Sequence, residues 1–164
     1  MERLWAPWRR EFVMKGASAQ AGGCLFCDLL KQEDGPENLI LHRGRTAYVV
    51  LNKYPYSNGH LMVVPFRHTS DFTSLAPEEG TEIFLLGQRC VAALSERMNT
   101  HGCNVGFNLG QAAGAGIEEH VHLHVVPRWR GDHNFMAVLG QTRVIPEDIA
   151  RTYETLRPAF PSKD

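Results

Sequence analysis

The chain lacks any run of about eighteen apolar residues, and its N-terminal MERLWAPWRREF has no continuous apolar core, so neither a membrane-spanning helix nor a secretory leader is expected. An excess of charge of one sign is missing too. Lysine and arginine total 17 against 18 acidic residues, which removes the global field that marks nucleic-acid and membrane-surface binders. Any anionic ligand must therefore be held by a local site. Cysteine is sparse: Cys24, Cys27, Cys90 and Cys103 include one Cys-x-x-Cys and no second one to complete a familiar zinc knuckle. No internal repeat and no low-complexity domain is present. What is there, 164 residues at 43% hydrophobic content, suffices for one globular domain with a real core, expected to be soluble and cytoplasmic.

Residues 1–23 hold two tryptophans followed by KGASAQAGG, too poor in apolar side chains to fix itself in one conformation, and read as an N-terminal arm and flexible joint. The domain is expected over residues 24–164. LILHRGRTAYVVLNKYP contains two β-rich runs, 39–42 and 46–52, either side of an Arg-Gly-Arg turn, which is a hairpin signal. HLMVVPF, stopped by Pro65, gives a third strand. From Pro77 onward Ile83, Leu86, Cys90, Ala93, Leu94 and Met98 recur at intervals of three and four, the period of a long amphipathic helix with Glu78 and Glu79 in its first turn. CNVGFNLG reads as a fourth strand, QAAGAG as a tight loop bringing backbone N–H groups toward a ligand, and residues 117–127 as a fifth strand. A C-terminal helix is expected from Pro146 to just before Pro158. Short turns between strands imply an antiparallel sheet, so the class is α+β: five strands with one long helix and one or more short ones.

EEHVHLHVVPRW places His120, His122 and His124 at alternate positions. In a strand that spacing puts all three on one face, roughly 7 Å apart, while Val121, Leu123 and Val125 enter the other. Three protonated rings would repel, so at least one is expected to be neutral or committed to a partner. A neutral imidazole is both a metal ligand and a nucleophile. Solvated strand positions remain the plain alternative. One strand rarely converges three adjacent same-face rings on a single ion, so the middle ring is expected to serve something else.

HVHLHVV resembles the His-φ-His-φ-His-φ-φ signature of the histidine triad (HIT) superfamily of nucleotide hydrolases and transferases, where φ is apolar, and the likeness extends over residues 24–130. The resemblance implies that His122 attacks an α-phosphorus to form a covalent nucleotidyl-imidazole and that His124 hydrogen-bonds the phosphate oxygens. It implies that Asn52 binds ribose hydroxyls, that His60 supports the catalytic rings, and that Asn108 reaches the α-phosphate and scissile oxygen, with Gly110 allowing close approach. Leu25, Phe26, Leu29 and Val50 would lie against the base. Many members carry Gly-Gln-Ser or Gly-Gln-Thr before the triad; this chain has Ala115-Gly116-Ile117, so help to the leaving group must come from backbone N–H groups, Gly116 among them, from His120, or from nothing. LWAPWR, NKYPYSNGHLMVVP and VVPRW look more like the longer bacterial branch of diadenosine tetraphosphate phosphorylases and hydrolases, with nucleoside phosphoramidases and non-catalytic nucleotide binders as alternatives. A dinucleoside polyphosphate substrate, a homodimer joined across the long helix and a neighbouring strand, and no organic cofactor are implied.

Taken locally, Cys24 and Cys27 could be half a zinc site, a redox pair, or two small residues under the sheet. The resemblance implies that His68 and His120 complete a structural Cys₂His₂ zinc site, which would leave His122 and His124 for the phosphate. Cys90 and Cys103 are expected to be core thiols. His133 is expected to be an exposed loop residue.

Overall fold

The computed structural model describes residues 23–132 and 148–161, so the expected arm, the His133 segment and the Pro146 helix start lie outside the described residues. Strands β1 (Ile40–Arg43), β2 (Ala47–Leu51), β3 (Leu61–Pro65), β4 (Gly102–Phe107) and β5 (Leu123–Arg128) form one antiparallel sheet in the order β1-β2-β3-β5-β4. Every residue of β2 and β3 is buried, and β-branched or aromatic side chains fill half of their length. β4, at the sheet edge, is largely exposed.

Helix α2 (Pro77–Met98) lies across this sheet and buries Ile83, Leu86, Cys90, Ala93 and Leu94 against it, as the periodicity indicates; Met98 at its end is partly buried. Gly87 belongs to the same face, where a Cβ would meet the Leu123 side chain at 2.9 Å. Pro77 opens the helix at a position that has no amide bond to lose, and Glu79 reaches back to accept the Ala76 N–H at 2.8 Å. Asn99 ends it with a left-handed turn, φ 50°. From the middle of this helix, Glu82 accepts both the Arg45 and Thr46 amides and the Thr46 hydroxyl, closing the β1–β2 turn onto it.

The short helix α1 (Leu25–Leu29) is too brief to stand alone. Tyr48 of β2 holds it by donating to the Phe26 carbonyl at 2.9 Å. Helix α3 (Ile149–Leu156), capped by Asp148, lies against α2 and sends the Tyr153 hydroxyl to the Ile40 carbonyl at 3.1 Å. It stops at Leu156; Pro158 falls in the tighter turn that follows.

The fifth strand departs from expectation. It begins at Leu123, not at residue 117, so of the three histidines only His124 is in the ladder. The register explains this. β4 ends opposite Leu123 at Phe107, and on the other side the Pro65 carbonyl is taken by the His120 ring instead of a ladder amide. The Val121 amide goes to Thr69 instead. Neither face of this stretch is solvated: His120, His122 and His124 are buried along with Val121, Leu123 and Val125.

Candidate active site and metal centre

A cleft of about 450 Å³ opens between α1 and the sheet. Leu25, Phe26, Leu29, Val50, Asn52, Gly116, His122 and His124 line it, so these sequence-identified positions converge on one space. His60 lies beneath it, fully buried, and Asn108 touches His124 from the end of β4. Gly110 does not line the cleft. Its φ of 76° lets the chain turn, but the carbonyl serves the loop itself, accepting the Ala113 and Ala115 amides. Leu39, Tyr54, Tyr56, Met62 and Ile117 also face the cleft; apolar and aromatic residues in strands and turns carry no distinguishing sequence signal.

The proton on each ring follows from groups whose role is fixed. The Tyr56 peptide N–H donates to Nδ1 of His60 at 3.2 Å, and so does Nδ2 of Asn52 at 3.1 Å, its oxygen being occupied by the Tyr54 amide. Nδ1 is therefore an acceptor, and the proton of His60 sits on Nε2, which donates to Nδ1 of His124 at 2.9 Å. His124 in turn carries its proton on Nε2, toward the cleft. The Asn108 carboxamide nitrogen stands 3.3 Å from that atom; two N–H groups repel, so this amide faces it productively only through its oxygen. His122 is set independently: Nδ1–H donates to the His120 carbonyl at 2.8 Å, which leaves the Nε2 lone pair unprotonated. The rings of His122 and His124 stand 4.6 Å apart edge to face, closer than strand spacing alone would give.

Burial first, and neighbouring histidines second, hold these rings neutral. His60 is lowered to about 3 and His124 to about 4; His122 is lowered by burial as well. Tyr56 stacks on His124 at 5.7 Å and lies over His60 at 4.7 Å.

Cys24, Cys27, His68 and His120 place one donor atom each within 4.8 Å of the others. His120 turns Nε2–H to the Pro65 carbonyl at 2.9 Å and its free Nδ1 to Cys24 at 3.3 Å and Cys27 at 3.7 Å, while Nδ1 of His68 is 3.6 Å from Cys27. A tetrahedral ion with ordinary Zn–S and Zn–N bonds separates nitrogen from sulfur by roughly 3.5 Å, so the spacing fits a closed four-ligand centre. Burial and the adjacent Cys24 push the Cys27 thiol up to about 11. Phe26, between the two cysteines, meets the rings of both His120 (5.5 Å) and His122 (4.9 Å), so the cysteine–histidine cluster and the cleft share a wall.

The profile of the HIT domain matches residues 33–131. An AP-4-A phosphorylase of Mycobacterium tuberculosis is 38% identical over 161 residues, covering 95% of this chain and 83% of that protein. An uncharacterised HIT-like protein of the same species is 32% identical over 86% of this chain and 95% of its own length. A zinc-bound histidine triad family protein of Mycobacterium smegmatis superimposes with a TM-score of 0.68 at 31% identity, over 84% of this chain and 92% of that one.

The lowered His60 has a consequence for stability. The unfolded chain protonates this histidine near pH 6.5, the folded protein only near 3. The unfolded state thus binds the extra proton within that window, and stability present above pH 6.5 is lost as pH falls. Urea unfolding between pH 7.5 and 4.5 is expected to show a slope shallower in His60→Asn than in the wild type by up to about 1.4 kcal/mol per pH unit; equal slopes would refute the assignment.

Proposed function

The chain belongs to the HIT domain family, and on that premise we propose that it is a dinucleoside polyphosphate phosphorylase working through a nucleotidyl-His122 intermediate. The observation that carries this reading is the unprotonated Nε2 of His122 on the cleft wall, with Nδ1–H anchored to the His120 carbonyl. That lone pair attacks the α-phosphorus, the P–N bond forms, and the bond from phosphorus to the bridging oxygen breaks. The leaving nucleotide departs with the electron pair. The imidazolium character that develops on His122 is stabilised through Nδ1–H and the carbonyl dipole. Nε2–H of His124 hydrogen-bonds an oxygen of the reacting phosphate, and Asn52, through its spare amide capacity, takes a ribose hydroxyl. The base rests against Leu25, Phe26, Leu29 and Val50. Inorganic phosphate then attacks the phosphorus, breaks the P–N bond and leaves as part of a nucleoside diphosphate. The relative named an AP-4-A phosphorylase supports phosphate as acceptor and a diadenosine polyphosphate as substrate.

Cys24, Cys27, His68 and His120 would hold a zinc ion, which supplies a cross-link and no open coordination position. The zinc-bound neighbour supports that identity. We read residues 1–23 as an arm and joint preceding the domain over 24–164, and four cysteines that form no disulfide, Cys24, Cys27, Cys90 and Cys103, favour a reducing compartment such as the cytoplasm. Among the described residues no helix is long and apolar enough to cross a membrane. A homodimer would cover an apolar face on which Phe84 of α2 is 66% exposed and Val105 of β4 52% exposed, with Phe72 and Val91 beside them.

Incubating the protein with diadenosine tetraphosphate is expected to yield ADP and ATP when inorganic phosphate is present; AMP formed equally well without phosphate would make it a hydrolase instead. His122→Ala should lose activity by at least roughly ten-thousand-fold, and retained turnover would remove His122 as nucleophile. Metal analysis is expected to find zinc in stoichiometric amount in the wild type and not in Cys27→Ser, with a lower unfolding temperature in the variant; a metal-free wild type would exclude the centre. Phe84→Asp is expected to shift the sedimentation coefficient from dimer to monomer, and a wild type that already sediments as a monomer would dispose of the dimer.

A further inference from the structure

Two described residues other than glycine adopt left-handed backbone: Asn99, φ 50°, and Leu39, φ 62°. Asn99 caps a helix, where asparagine is a common solution. Leucine is not. Its Cβ is crowded in this region, where glycine sits freely and asparagine more easily than most. Such a conformation persists only where the surroundings over-determine it. Here Asn38, almost wholly buried, uses both ends of its carboxamide: the oxygen accepts the Gly35 and Ile40 amides at 3.1 Å each, and the nitrogen donates to the Leu29 carbonyl at 3.4 Å. Leu39 itself donates to the Gly35 carbonyl at 2.9 Å and accepts the Leu51 amide at 3.0 Å. The turn is therefore tied to the end of α1 on one side and to β2 on the other, and the β1–β2 register is irregular directly after it. Its product is one leucine side chain in the wall of the cleft, alongside Leu29 and Val50.

We propose that Leu39 is a specificity-determining residue: the strained turn holds its side chain where a two-ring base packs against it and a one-ring base does not reach. The inference rests on the nucleotide reading of the cleft. If the turn alone mattered, glycine or asparagine would serve it with less strain; what leucine adds is an apolar side chain, 6% exposed, that packs in the core and also lines the cleft. A purine offers a longer apolar face than a pyrimidine, so loss of this wall acts chiefly on purine nucleotides.

Calorimetric titration of the wild type, Leu39→Asn and Leu39→Met with AMP and with CMP tests this. The wild type should favour AMP. Leu39→Asn, which suits the backbone and removes the apolar wall, should weaken AMP by about tenfold or more while changing CMP by less than about threefold. Leu39→Met, which keeps an apolar side chain of similar volume, should hold AMP within about threefold of wild type. Should Leu39→Asn fail to fold, Leu39→Gly replaces it, being compatible with the same backbone. An unchanged AMP-to-CMP ratio, with or without a fall in unfolding temperature, would make Leu39 a core residue only and overturn the proposal while leaving the nucleotide reading intact. A wild type that binds neither nucleotide would overturn both.

Discussion

A peptide N–H can only donate, and the amide of Tyr56 donates to Nδ1 of His60. From that bond the state of the neighbouring rings follows in order. His60 must keep its proton on Nε2, His124 must accept it at Nδ1, and the proton of His124 is left facing the cleft. A solvated histidine exchanges tautomers freely; these do not, because the chain starts at a backbone atom in the turn between β2 and β3. His60 is buried at 0% exposure, a costly place for a polar ring unless both nitrogens are satisfied, and both are.

His122 is governed by a second backbone atom, the His120 carbonyl. His120 is itself committed at both nitrogens, to the Pro65 carbonyl and toward the two cysteines. The segment before β5 is therefore tied to β3 through a ring and to α1 through the contacts of His120 with Cys24 and Cys27. α1, at five residues, gains nothing from helix propagation and depends on Tyr48, Asn38 and the cysteines for its place. Helix α1 and His122 accordingly share their supports, with Phe26 in contact with both His120 and His122.

Much of this was legible before any coordinates. Period 3.6 is a direct physical consequence of the helix, which is why the buried face of α2 is where the apolar spacing puts it, and β2 and β3 fall on short continuous apolar runs, the pattern of strands buried on both faces. The triad resemblance named the residues that meet in the cleft. What the sequence did not disclose depends on where pairing stops. His120, His122 and His124 alternate perfectly, yet only His124 lies in the ladder, because β4 ends opposite Leu123 and a ring nitrogen takes the Pro65 carbonyl. Gly110 takes a positive φ, and its carbonyl accepts the Ala113 and Ala115 amides, bonds that the sequence does not announce. Leu39 gave no signal at all: nothing in ENLIL says that its leucine adopts a positive φ, since that is imposed by bonds from Asn38, Gly35 and Leu51.

The chemistry of the leaving group separates the two substrate classes the family resemblance leaves open. An amine expelled from phosphorus needs a proton in the transition state, whereas a nucleoside polyphosphate, whose terminal phosphate has its second pKa near 6, departs as an anion. Where many relatives carry a hydroxyl residue, this chain has Ala115-Gly116-Ile117, and Gly116 and Ile117 are the members of that triplet that reach the cleft. His124 does not fill the gap as an acid. With its pKa lowered to about 4, it is a neutral ring at cellular pH, able to donate a hydrogen bond through Nε2 but holding no spare proton. On the proposed reading, a site that offers a hydrogen bond from a neutral ring suits a phosphate leaving group better than an amine. Burial lowers the pKa of His122 too, so both rings are neutral imidazoles at cellular pH.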